Sequence, residues 1–167
     1  MNSKKDETQK HNISWDEYFM SLAKVSSFRS KDPNTKVGAV IVNDNKRIVS
    51  LGYNGMPKGN DNFPWNREGM QEKDKKYAYV VHAETNAILN SKTNLENTIC
   101  FTTLFPCSNC AKTIVQAGIK EVVYLDDFYD KTEDNLISKT ILQQSNVKIR
   151  AVEKLEVSLK TDSGEFK

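Results

Sequence analysis

The chain has 167 residues, 38% hydrophobic and 28% charged, enough for one domain whose core needs no disulfides to hold it. Its 24 basic and 22 acidic residues interleave to a net charge of +2, which lacks the concentrated basic face of a nucleic-acid binder. No apolar run is long enough to span a membrane and the first twelve residues are polar, so no span or signal peptide is expected and the expected location is the cytoplasm.

Residues 1–12 read as a disordered tail, 13–153 as a single domain and 154–167 as a C-terminal tail of undefined structure. Ser14 with Glu17 three residues on is a helix-starting capping box, and Ile13 and Tyr18 are placed for a hydrophobic staple. Phe19, Leu22 and Val25 continue an apolar face toward Ser27, and Pro33 closes the segment. Val37–Val42 and Ile48–Tyr53 flank the turn residues Asn43-Asp44-Asn45 and predict a hairpin. Residues 54–76 form a long loop rich in Gly, Pro, Asn and charge, a kind of segment that is often functional. Within it Lys73, Lys75 and Lys76 alternate with Glu72 and Asp74, which reads as a solvated stretch.

His82 opens a helix through Leu89, and Thr98–Leu104 is a strand. Pro106 starts a further helix that Gly118 ends. Val122–Leu125 is a strand, Leu136–Gln144 a helix and Val147–Val152 the last strand. This order predicts an α/β domain: a mixed sheet of about five strands with helices on both faces.

The chemistry concentrates in His82-Ala83-Glu84 and, 25 residues beyond His82, in Pro106-Cys107-Ser108-Asn109-Cys110. A catalytic zinc takes three protein ligands and keeps one position for water. One imidazole and two thiolates meet that need, and two Cys at a helix N-terminus turn toward one point where the helix dipole favours thiolates. Glu84, two residues past the imidazole, can sit beside the open position and shuttle protons without ligating the metal. The H-x-E with P-C-x-x-C pattern is that of zinc nucleobase deaminases.

Each piece has a plainer reading. A lone His is commonly structural, Glu84 alone is a helix-start carboxylate, and a lone C-x-x-C can be a redox pair. A structural zinc would want a fourth ligand, and only Cys100 and His11 remain, in a strand and a tail. The plainer readings must produce the whole set together, in order, with Pro106 before the first Cys.

Ser14-Trp15-Asp16-Glu17-Tyr18, Arg29-Ser30-Lys31-Asp32-Pro33, Gly52-Tyr53-Asn54-Gly55-Met56-Pro57, His82-Ala83-Glu84 and Phe105-Pro106-Cys107 through Cys110 resemble the deoxycytidylate (dCMP) deaminases. The likeness runs from about Ser14 to Val152. The resemblance implies a cytidine-deaminase-like three-layer fold and hydrolysis of dCMP to dUMP and ammonia, feeding thymidylate synthesis. It implies His82, Cys107 and Cys110 as zinc ligands and Glu84 as the catalytic proton carrier. Some members of the family hold a second, structural zinc on extra His and Cys, which this chain lacks, so one zinc per subunit is expected. Asn54 is then expected near the deoxynucleotide, and Gly52, Tyr53, Asn54 and Gly55 at a site for regulatory dCTP or dTTP with Mg2+. A homo-oligomer, in this family commonly a hexamer, is implied as well.

For the phosphate and sugar, Arg29 or Lys31 is a candidate cation, Asn34 and Asn54 offer amides, and Tyr129 offers a hydroxyl or a ring. Three rivals stay open: a tRNA adenosine deaminase, a riboflavin-pathway deaminase, and a nucleotide-binding regulatory module without activity.

Overall fold

A computed structural model describes residues 12–167, so all of the expected N-terminal tail except Asn12 lies outside the described residues. Helix α1, Trp15–Ser27, starts at the capping box: the Ser14 hydroxyl accepts from the Glu17 amide, and the Glu17 carboxylate accepts from the Ser14 amide. Its buried stripe is Phe19, Met20, Ala23 and Ser27. Val25, expected on that stripe, is 40% exposed, because two positions from both Ala23 and Ser27 is the other side of a helix.

Strands β1 (Gly38–Val42), β2 (Ile48–Tyr53), β3 (Ile99–Leu104), β4 (Glu121–Asp126) and β5 (Lys148–Ala151) form one sheet in the order β2-β1-β3-β4-β5. β1 runs antiparallel to β2 and β3, whereas β3, β4 and β5 are parallel. The parallel pairs need crossovers, which helices α3 (Ser108–Gln116) and α4 (Glu133–Gln144) supply, and α2 (Ala83–Asn90) precedes β3.

Alternate strand residues serve opposite faces. Ala39, Ile41, Cys100 and Val122 pack with Ala87, Ile114 and Leu142 of α2, α3 and α4. Val40, Val42, Phe101 and Val123 pack with Phe19, Met20 and Ala23 of α1. Burial on both faces explains why β1 reads as an unbroken apolar run. The result is the expected three layers.

Beyond the sheet the chain closes with a two-stranded ribbon, β6 (Leu159–Thr161) and β7 (Gly164–Phe166), whose Phe166 ring lies 5.9 Å from that of Phe28 after α1. Among the described residues no helix is long and apolar enough to cross a membrane.

Gly52 brings β2 close to α2. A Cβ there would stand 2.5 Å from the Ala87 nitrogen and 2.7 Å from the Ala83 oxygen, both backbone atoms that cannot step aside. Gly52→Ala must therefore push α2, with His82 at its cap and Glu84 in its first turn, off the sheet. We expect a loss of about 1–3 kcal/mol in urea unfolding together with reduced turnover. Unchanged stability would mean that the helix does not rest on Gly52.

Candidate metal centre and active-site cleft

The ends of two helices build the centre. His82 is the N-cap of α2 in extended conformation (φ −73°, ψ 158°), with no side-chain capping bond, so its ring is free for other work. Cys107 is likewise the N-cap of α3 (φ −68°, ψ 169°), and Cys110 sits in that helix's first turn. The Ser108 amide and hydroxyl donate to Asp134 of α4, which pins the start of α3. In front of α2, Gly55 and Val81 exchange two backbone bonds of 3.0 and 2.8 Å, and the Asn86 amide donates to the Tyr53 carbonyl. The long loop is thereby closed at its base, immediately before His82.

His82 Nδ1 lies 3.3 Å from Cys107 Sγ and 3.4 Å from Cys110 Sγ, and all three ligand atoms fall within 4.8 Å of one another. Tetrahedral zinc with bonds of about 2.0–2.1 Å to nitrogen and 2.3 Å to sulfur separates such atoms by roughly 3.5 Å. The donor set fits zinc in both chemistry and spacing. Hydrogen bonding from the Cys110 thiol and from His82 draws the Cys107 thiol down to about 4 against its burial, while His82 is raised through its bond to Cys107. A thiolate is therefore accessible at neutral pH.

Glu84 is 3% exposed, and burial pushes its carboxyl above the usual range. Its Oε1 accepts from the Thr102 hydroxyl at 3.1 Å, which orients the carboxyl group from β3. Cys100, the remaining cysteine, is fully buried in the core and is raised by that burial, so it is an inert packing residue.

His82, Glu84 and Cys107 line a cleft of about 260 Å³, whose apolar floor includes Val37, Leu104 and Phe105. Asn54 and Tyr129 also line it, as expected. Asn54, however, is committed internally: its Nδ2 donates to Asp32 and to the Thr35 carbonyl, and its Oδ1 accepts from the Val37 amide. Asn34 lines instead an adjoining groove, which shares Thr35, Arg67 and Tyr129 with the cleft.

Arg29 and Lys31 do not reach the cleft. The segment alternates, with Ser30 and Asp32 buried and Arg29, Lys31 and Pro33 exposed, so both cations face outward; Lys31 pairs with Asp61 at 2.7 Å. The cations that do line the cleft are Arg67 and Lys76. Lys76 corrects the solvated reading of its stretch: it is 5% exposed and pairs with the buried Asp32 at 2.6 Å. The local alternation of charge concealed it, because its partner lies 44 residues earlier. A usable signal was the apolar and aromatic run Tyr77-Ala78-Tyr79-Val80-Val81 that links it to His82.

Of the segment expected to bind regulatory nucleotides, Gly52 is buried under α2, while Tyr53 and Gly55 hold the approach to His82 through their backbones.

Residues 13–126 match the model of the cytidine and deoxycytidylate deaminase zinc-binding region. This chain belongs to that family. It is 45% identical over 141 residues to the deoxycytidylate deaminase of Homo sapiens, covering 83% of this chain and 79% of the human one. A probable deoxycytidylate deaminase of Drosophila melanogaster is 47% identical over 150 residues, with 85% and 74% covered. Among solved structures, the dCMP deaminase of cyanophage S-TIM5 in complex with dCMP and dUMP superposes with a TM-score of 0.66 at 29% identity, covering 81% of this chain and 95% of that one. The fold is the cytidine-deaminase-like one that the family resemblance implied.

Proposed function

We propose that this chain hydrolyses dCMP to dUMP and ammonia. The observation that carries the reading is the convergence of His82, Cys107 and the buried Cys110 at a cleft that His82, Cys107 and Glu84 line, within a chain 45% identical to human deoxycytidylate deaminase. His82 Nδ1 and the sulfurs of Cys107 and Cys110 would hold the zinc, which when bound supplies a water activated near neutral pH.

Glu84 then does the proton work. Oxygen adds at C4 of the pyrimidine and the C4–N4 bond breaks. Of the water's two protons, one ends on ring N3 and the other on the departing amine, and the Glu84 carboxyl carries both. Its burial suits this: a raised pKa places it closer to the operating pH, where a carboxyl can both accept and release a proton. The apolar floor around Phe105 and Leu104 limits bulk water at the reacting carbon.

The test is a deamination assay on zinc-loaded protein with dCMP, deoxycytidine, dCTP and a tRNA substrate. Turnover of dCMP above the others supports the reading; turnover confined to tRNA overturns the substrate while keeping the chemistry. Cys107→Ala is expected to lose bound zinc, read by metal analysis, and to lose all measurable turnover. Zinc retained at wild-type content would remove Cys107 from the ligand set.

The same reading extends to a homo-oligomer under dCTP and dTTP control with Mg2+. It is supported by the identity to relatives across most of the chain and tested by light scattering with and without each triphosphate.

A further inference from the structure

We propose that Lys76 and Arg67 together seat the 5′-phosphate of the nucleotide, an inference that rests on the dCMP reading above. Lysine is seldom buried as fully as Lys76, at 5% exposure, without a reason. Its ammonium carries three N–H donors. Among the described residues its one hydrogen-bond acceptor is Asp32 Oδ2 at 2.6 Å.

Asp32 is in the opposite condition. Its Oδ1 accepts from the amides of Asn34 and Thr35, and its Oδ2 from Lys76 and Asn54. A carboxylate offers about four acceptor sites, so Asp32 is saturated. The buried pair thus has every acceptor in use and donors to spare, and both residues line the cleft.

Arg67 stands beside it. The Lys76 amide donates to the Asn66 carbonyl at 2.7 Å, which brings the residue before Arg67 against Lys76. Arg67 Nη2 is tethered to the Thr35 hydroxyl at 2.7 Å, at the mouth of the same cleft. A guanidinium has five donors, so a tethered Arg67 still presents several.

Arg67, which has no acidic partner among the described residues, supplies the net positive charge, and the Lys76–Asp32 pair, neutral in sum, adds unused N–H donors. Together they match a phosphate monoester, whose oxygens accept several charge-assisted bonds at once. A sugar hydroxyl could accept from the same donors but carries no charge to balance Arg67.

The experiment is isothermal titration of zinc-loaded protein with dUMP and with deoxyuridine, which differ only by the phosphate. Arg67→Met, and separately the neutral pair Asp32→Asn with Lys76→Met, are each expected to weaken dUMP roughly 10- to 100-fold and deoxyuridine less than about twofold. Equal losses for the two ligands, in either variant, overturn the seat in favour of a structural role or a sugar contact. Unchanged dUMP affinity overturns it too. Arg67 is on the exposed rim, so its variant decides the matter even if the buried pair resists replacement. Because binding is read, wild-type protein that holds dUMP but leaves dCMP intact overturns the catalytic reading alone.

Discussion

Glu84→Gln is expected to lower kcat for dCMP by roughly 100- to 10,000-fold while leaving the zinc content at the wild-type value. The amide has the shape of the carboxyl and its oxygen can still accept from the Thr102 hydroxyl, which now sits 3.1 Å from Glu84. What it cannot do is take up and return a proton. Folding should not suffer, because the change removes a carboxyl group that burial disfavours when charged. Steady-state rates paired with metal analysis and a melting curve separate these effects. A variant retaining more than about a tenth of wild-type kcat would transfer the proton work to another group.

The second large effect concerns stability. Lys76→Met strips the counter-charge from Asp32, whose side chain is 1% exposed, and the cost of an orphaned buried charge is about 3–5 kcal/mol. For a chain of this size that corresponds to a fall in Tm of roughly 10 °C or more. Adding Asp32→Asn should restore at least half of the loss, since the asparagine oxygen can still accept from the Asn34 and Thr35 amides. Thermal unfolding of wild-type, single and double variants measures this directly. Two losses that simply add would mean that the pair is not coupled.

Much of the fold was legible because its signals are local. The capping box at Ser14 and Glu17, the turn between β1 and β2 and the Gly118 stop each act within a few residues, and each stands where expected. The candidate centre was legible for a related reason. Zinc chemistry constrains residue type and spacing so tightly that His82, Glu84, Cys107 and Cys110 could be picked out before any geometry was known. The fold brings the ligand atoms of His82, Cys107 and Cys110 within 4.8 Å of one another and sets Glu84 in the cleft beside His82 and Cys107.

The buried Asp32–Lys76 side of the cleft was not legible, because it is assembled from distant segments. Asp32, Asn54 and Lys76 meet across 22 and 44 residues, and nothing in the interleaved charges around Lys76 announces a buried partner. Arg29 and Lys31 were plausible on chemistry alone. The structure leaves both exposed and out of the cleft lining, because the chain alternates and buries Ser30 and Asp32 instead.

The spacing of the candidate metal ligands has a thermodynamic consequence. His82 caps one helix and Cys107 and Cys110 open the next, so an ion held by all three is a cross-link that joins α2 to α3 around the intervening strand β3. Such a link exists only in the folded chain, and mass action then adds about 2.7 kcal/mol to stability at a free-ion concentration 100 times the dissociation constant. With zinc so held, the melting temperature is expected to rise with the zinc activity around the protein, which melting curves across a zinc titration would measure. The fraction folded in a cell would follow the cell's metal supply as well as its temperature.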